Sequence, residues 1–232
     1  MALSDRTTAT PRRAKHYDTP AADRAGAREQ LLDAAITLFA ERGYDGVSTV
    51  AVGKAAGLTQ SMVHYYFGTK ASLWEAAVER VMRRRGVNFE VRLSDLRDLD
   101  PLSRLKVLIR RFMKANADDP HLTRILIHEA TAPSPRLQWL AARFMRPGYL
   151  MFNRAIQDCV EAGQIRPVEP RDVTNIIVGA STLSFSLSLL IAEVYGEEAT
   201  QAIDAERLSD TFIDILIRGL ETRQRSGDES QE

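Results

Sequence analysis

The sequence predicts an all-α protein with a small N-terminal head and a larger C-terminal body, and three observations carry that expectation. Apolar residues recur at helical spacing along most of the 232 residues, and no convincing alternating strand pattern appears. Pro101, Pro120, Pro135, Pro147 and Pro170 stand where helices start or break, since proline fits a first turn and not an interior. Near the N-terminus two short runs, each opened by a hydroxyl residue and joined through Gly57, read as a helix-turn-helix.

Taken in order, residues 1–23 are rich in Thr, Ala, Pro and Arg without hydrophobic periodicity, and are expected to form a flexible basic arm. From Arg24 the pattern turns helical, with Leu31, Ala35, Leu38 and Phe39 at i, i+4, i+7 and i+8, and Gly43 stops this first helix. Ser48 opens a run over 49–56 that closes at Gly57, and Thr59 opens a second over 60–67. Gly68-Thr69-Lys70 starts a long helix whose stripe is Leu73, Ala77 and Val81. Further helices are expected over about 101–117, 119–131, 135–146, 148–162, 171–195 and 205–223. The head is assigned to 24–70, the body to 71–225 and a disordered tail to 226–232.

Composition excludes several classes. With 44% hydrophobic and 27% charged residues the chain is neither fibrous nor wholly disordered. The single Cys159 cannot form an intrachain disulfide, and one cysteine with four scattered histidines gives no zinc-finger spacing, so no metal is expected and a reducing cytoplasm fits. His121 and His128 are two helical turns apart with no evident third ligand. The first residues lack the apolar stretch of a signal peptide. An uncharged run over 173–192 has the length of a membrane span, but its seven Ser, Thr and Asn residues argue for burial in protein instead, and no membrane partner is expected. No Ser-His-Asp set, Gly-rich phosphate loop or HExxH spacing is present, so neither catalysis nor a cofactor is expected.

The net charge is zero but unevenly placed: residues 1–85 hold 13 Lys and Arg against 9 Asp and Glu, leaving 18 against 22 for the rest. A positive head and a negative body suit a protein that offers one face to phosphates. Within the head, Gly57 permits a sharp turn, so the second short helix can project its N-terminal half into a groove about 12 Å wide. Val52, Leu58, Val63 and Phe67 are expected to face inward. Gln60, Ser61 and Met62 are the candidate base readers, through adenine edges, an adaptable hydroxyl and a thymine methyl. Thr49, Thr59, His64, Tyr65, Tyr66 and Lys70 are the candidate phosphate contacts. Arg12, Arg13 and Lys15 of the arm are placed in the minor groove.

The stretch from Gly43 to Val78, GYDGVSTVAVGKAAGLTQSMVHYYFGTKASLWEAAV, closely resembles the DNA-binding region of the TetR family of transcriptional regulators. Gly43-Tyr44, Ser48, Val52, Ala56-Gly57, Thr59 and Tyr65-Tyr66-Phe67-Gly68-Thr69-Lys70 with Leu73 carry the likeness, over about 50 residues with the preceding helix. Two positions depart from the family pattern. His64 stands where a tyrosine is usual, and Gly53 where alanine is common, a change that should weaken its helix by up to roughly 1 kcal/mol.

The resemblance implies a homodimer that binds double-stranded operator DNA and releases it when a small molecule enters the body. The uncharged helix and the last helix are apolar on more than one side, so Gly179, Leu183, Leu187, Leu190, Leu208, Phe212, Ile215 and Leu216 are assigned to a dimer seam. Phe89, Phe112, Trp139, Phe144, Met145, Tyr149, Phe152 and Phe185 are the candidate pocket for a largely apolar effector, with His128 among its polar residues beside His121 and Glu129. An activator of the same architecture, or a DNA-organising protein without ligand control, are the alternatives.

Overall fold

The computed structural model describes residues 21–89, 96, 98–196 and 204–221. Arg12, Arg13, Lys15, the side chain of Phe89 and the tail over 226–232 lie outside the described residues. The long regular elements are helices throughout this set: α1 (Ala21–Arg42), α2 (Thr49–Ala55), α3 (Gln60–Phe67), α4 (Lys70–Phe89), α5 (Pro101–Asp118), α6 (His121–Glu129), α7 (Pro135–Leu140), α8 (Arg146–Glu161), α9 (Pro170–Ser186), α10 (Ser188–Tyr195) and α11 (Ala205–Leu220).

Local chemistry fixes many of these starts. Ser48 accepts a bond from the Ala51 amide at 3.1 Å, and Thr69 does the same for Ser72 at 3.0 Å, so each supplies an acceptor to an unpaired first-turn donor. Asp100, Ser134 and Asp204 cap α5, α7 and α11 in the same way. Pro101, Pro135 and Pro170 occupy first turns, where their missing N–H costs nothing. Thr59 is the exception: it precedes α3 in extended conformation but makes no cap bond, its hydroxyl pairing with Ser61 at 2.8 Å.

Two clusters of buried side chains organise the chain. One joins α1, α2, α3 and α4 through Leu31, Ala35, Phe39, Val52, Val63, Leu73, Trp74 and Val81, and extends to Leu122, Ile125 and Leu140 from α6 and α7. The other holds α5, α8, α9 and α11 together around Leu105, Ile109, Phe152, Ile156, Ile177 and Ile213. Each fully buried large aliphatic contributes about 1.5–3 kcal/mol. Because α6 and α7 share a core with the head, head and body meet through packed side chains.

Three boundaries differ from the sequence expectation, the first being that α1 begins at Ala21, inside the stretch assigned to the flexible arm. Residues 135–161 form one continuous helical run rather than two helices parted at Pro147, because Ala141–Met145 close a π-helical turn in which the Arg146 amide donates to the Ala141 carbonyl. A regular α-turn would drive the Pro147 ring into the carbonyl four residues back, and the wider turn removes that clash. Conversely, the single helix expected over 171–195 is broken at Leu187, and α9 and α10 bend by 66°. Hydroxyls around the break are all engaged: Ser184 bonds back along α9 to the Ala180 carbonyl at 2.7 Å, while Ser186 reaches Thr123 of α6 at 2.7 Å and Ser188 accepts from Arg124 at 3.3 Å. Among the described residues no single helix is long and apolar enough to cross a membrane.

Candidate nucleic-acid interface and ligand cavity

The head is built from the inside outward. Val52 and Val63 are fully buried, Phe67 is buried and Leu58 is half-buried, so α2 and α3 are locked by the residues their spacing picked out. Gly57 takes a φ of +68°, a conformation that disfavours every side chain bearing a Cβ. Gly53 answers a different need. A Cβ there would stand 3.0–3.2 Å from the backbone of residues 58–60, so glycine lets α2 approach the turn closely, a packing reason that stands beside its cost in helix propensity.

This packing decides which α3 side chains face outward. Gln60, Ser61, His64 and Tyr65 are exposed, Tyr65 at 72%. Met62 is half-buried against the head core, so it is corrected from an outward base reader to a packing residue: it adjoins Val63 on the inward face. Tyr66 is likewise half-buried, and Tyr65 stands edge-on to it at 5.0 Å. The Gln60 amide nitrogen donates to the Thr49 hydroxyl at 3.2 Å and lies 3.2 Å from His64 Nε2. His64 Nδ1 is 2.9 Å from the Gly68 carbonyl, which can only accept; Nδ1 therefore donates there and Nε2 accepts from Gln60. His64 thus orients Gln60 across one helical turn. The Lys70 ammonium sits 4.2 Å from the centre of the Tyr44 ring, and Thr59 and Thr69 are exposed at the starts of α3 and α4. Lys54, exposed in the last turn of α2, adds a cation that no sequence pattern distinguished.

Behind the head lies a cavity of about 320 Å³ between α4, α5, α6, the π-helical turn, α8 and α9. Of the pocket residues expected from sequence, Phe112, Phe144, Met145, Tyr149 and Phe152 line it. The others lie elsewhere. Trp139 packs on Trp74 at 5.7 Å, and Phe185 is buried in the body core. His128 is exposed, and its ring lies over the turn at Gly43, where a Cβ would meet it at 3.2 Å. Glu129 is buried but accepts from Arg136 and Ser134, while His121 is engaged with Asp119 at 2.6 Å. For His121, His128 and Glu129 the cause is shared: α6 turns Leu122, Thr123 and Leu126 toward the cavity, and its other faces serve the head and α7.

Sequence reasoning missed the cavity's polar end. Arg85 is 8% exposed and Asn116 is fully buried. Burial pulls the Arg85 guanidinium down to about 10, with the charge of Asp119 acting in the opposite direction. Burial pushes the Tyr149 hydroxyl up, keeping it a neutral donor. The signal for Arg85 was its spacing: it continues the buried stripe of Trp74, Val78 and Val81 along α4, although it sits in a run of three arginines that reads as surface charge. Cys159 is fully buried, and burial with nearby Asp158 and Asp100 raises its thiol to about 11. Among the described residues no group of three or more His, Cys, Asp or Glu is placed to hold a metal ion.

The surface assigned to a seam divides. Leu183, Leu187 and Leu190 are exposed, as are Ile176, Leu189, Val194, Tyr195 and Ile215, and Gly179 is half-exposed among them. Leu208, Phe212 and Leu216 are half-buried against the core of their own chain, because α11 turns Ile213, Ile217 and Leu220 inward and carries these three at the margin.

Residues 31–77 match the family model described as bacterial regulatory proteins, tetR family, and residues 98–226 match the tetracyclin repressor-like C-terminal domain. Among curated proteins, the HTH-type transcriptional regulator RutR of Escherichia coli K12 is 20% identical over 200 residues, covering 84% of this chain and 91% of its own. The biofilm operon negative transcriptional regulator IcaR of Staphylococcus aureus is 35% identical over 52 residues, 22% of this chain and 28% of its own. Among solved structures, a putative fatty acid metabolism regulator of Clostridium perfringens superposes with a TM-score of 0.67 at 16% identity, covering 84% of this chain and 100% of that one. AibR in complex with isovaleryl coenzyme A and operator DNA gives 0.66 at 20% identity, over 82% and 98% of the two chains. With an exposed helix-turn-helix at one end, a helical body enclosing a cavity, and family matches across both, this chain belongs to the TetR family of helix-turn-helix transcriptional regulators.

Proposed function

We propose that the protein is a cytoplasmic homodimeric repressor that binds a palindromic operator through α3 and leaves it when a small, largely apolar molecule occupies the body cavity. The carrying observation is the exposed face of α3, where Gln60, Ser61, His64 and Tyr65 stand together with Thr59 and Thr69 beside them. Gln60 and Ser61 suit base edges, and the hydroxyls, Tyr65 and Lys54 suit the phosphate backbone. A two-fold dimer sets two such faces about 34 Å apart, one turn of DNA. The exposed apolar residues of α9 and α10 supply a self-complementary surface for that dimer.

The link between cavity and head is a chain of rings. Phe144, in the cavity wall, lies 5.3 Å from Trp139; Trp139 lies 5.7 Å from Trp74 on α4; and Trp74 meets Tyr44 edge-on at 6.4 Å. Arg136 caps this contact from the body, 3.7 Å above the Tyr44 ring. A ligand that displaces Phe144 therefore acts on packed groups that end in the head, and occupancy favours the arrangement in which the two heads no longer match the operator.

Selection of bound duplexes from a random pool tests the reading. Recovery of a palindrome with half-sites one helical turn apart is the expected result. Enrichment of no sequence, or of a single unrepeated half-site, overturns it.

A further inference from the structure

We infer that the cavity takes an anionic amphiphile, a medium-sized monocarboxylate whose charged group pairs with Arg85 while its hydrocarbon or aromatic body lies against Phe112, Phe144 and Phe152. This rests on the cavity being the effector site proposed above and names the chemical class of the effector. The observation that carries it is a buried guanidinium that makes no ion pair among the described residues. Arg85 is 8% exposed, and its hydrogen-bond acceptors among the described residues are neutral: the Ala115 carbonyl at 3.3 Å and the Asn116 side-chain oxygen. The charge of Asp119 acts on Arg85, but that carboxylate already accepts from the His121 amide at 3.1 Å and lies 2.6 Å from its ring. Arginine is almost never fully buried unless paired, so the free chain leaves a charge for an incoming anion to satisfy.

The surroundings hold Arg85 for that task. Asn116 is itself fully buried and donates to Ser181 at 2.6 Å, so a second layer orients the group that orients Arg85. The guanidinium carbon lies 5.3 Å from the centre of the Phe112 ring, which keeps the arginine plane on the cavity side of α5. Guanidinium has five N–H donors, and the two protein acceptors leave others for a carboxylate, the anion its fork matches. Tyr149 lines the same space with a neutral hydroxyl and no partner among the described residues.

Charge and size narrow the class. Arg85 is the one charged residue lining the cavity among the described residues, so a monoanion is neutralised and a dianion is not. The 320 Å³ is about twice the volume of an apolar cavity that accepts benzene, which suits a fused two-ring acid or a chain of about eight carbons.

The test is calorimetric titration of the full-length protein with octanoate, 1-octanol and octylamine, and with 2-naphthoate against 2-naphthalenemethanol. Each acid is expected to bind at least about tenfold tighter than its alcohol, and the amine weakest. Comparing the two acids tells a chain from a ring. Arg85→Gln is expected to abolish the preference for acid, and Arg85→Lys to restore part of it. Because the comparison of head groups uses the unmodified protein, it stands even where a variant fails to fold. Equal affinity for acid and alcohol, or an Arg85→Gln protein that keeps the preference, overturns the inference. If the alcohols bind as well as the acids and displace operator DNA, the carboxylate assignment falls and the effector reading stands; if no probe binds, both fall.

Discussion

Gly53 shows how small a difference sets the geometry of the head. Alanine would gain up to about 1 kcal/mol of helix propensity there. Its Cβ, however, would press on the backbone of residues 58–60 at 3.0–3.2 Å, and backbone yields less readily than a flexible side chain. The two effects nearly cancel in stability, whereas the displaced turn carries Gln60 and Ser61 with it. Gly53→Ala is therefore expected to leave Tm within a few degrees and to lower operator affinity about tenfold. Thermal unfolding and DNA titration side by side check this; a rise in Tm with unchanged affinity would show that the turn adapts. At this scale the sequence identified the residues that fill the head better than those that face out of it. Spacing placed Val52, Val63 and Phe67 inside, but Met62 needed the three-dimensional packing, because it sits on the shoulder of the helix where a shift of a fraction of a turn decides. His64 as the support of Gln60 was not legible, since a bond across one turn leaves no compositional trace.

At the scale of the element, capping was readable and irregularity was not. Asp100 before Pro101 marks the start of α5, and the structure gives its carboxylate two further roles: it accepts from the Ser103 amide at 3.1 Å and from the Gln164 side chain at 2.9 Å, tying the connection after α8 to α5. These bonds, from Ser103 first and Gln164 next, hold the carboxyl down at about 2 against an ordinary 3.8. A depressed folded pKa means that the stabilisation is present above pH 3.8 and is lost as pH falls toward 2. The Tm of the wild type is expected to exceed that of Asp100→Ala at pH 6, and the gap to narrow between pH 4 and pH 2. A gap independent of pH in that window would assign the effect to packing. The π-helical turn and the break at Leu187 were hidden for a common reason. Both are departures of the backbone, a widened turn before Pro147 in one case and a ψ of 23° at Leu187 among serines in the other, while hydrophobic periodicity records only burial.

The whole molecule leaves an unpaired surface that a single chain does not cover. Leu183, Leu187 and Leu190 are 50%, 40% and 57% exposed, and Leu189 and Tyr195 more than 70%. These exposed apolar side chains are the surface that the proposed dimer would cover. Leu183→Glu with Leu190→Glu is expected to turn a dimer into a monomer in light scattering and to lower operator affinity by more than about a hundredfold, as two linked sites become one. A double variant that remains dimeric would move the seam elsewhere. The architecture itself was legible in the sequence, because helical periodicity, proline placement and the turn at Gly57 all pointed one way. The cavity was legible only in part: aromatic composition suggested Phe112 and Phe152, but no pattern distinguishes a ring that lines empty space from Trp139 or Phe185, which fill a core.

The meeting of Trp74 and Trp139 has one further consequence. The chain has two tryptophans, one in the helix that leaves the head and one in the body, and they touch. Tryptophan emission from the unlabelled protein therefore originates at the joint alone. Displacement of Phe144, which stands against Trp139, would alter the surroundings of that pair before any dye or tag is needed, so intensity and wavelength report on occupancy of the cavity.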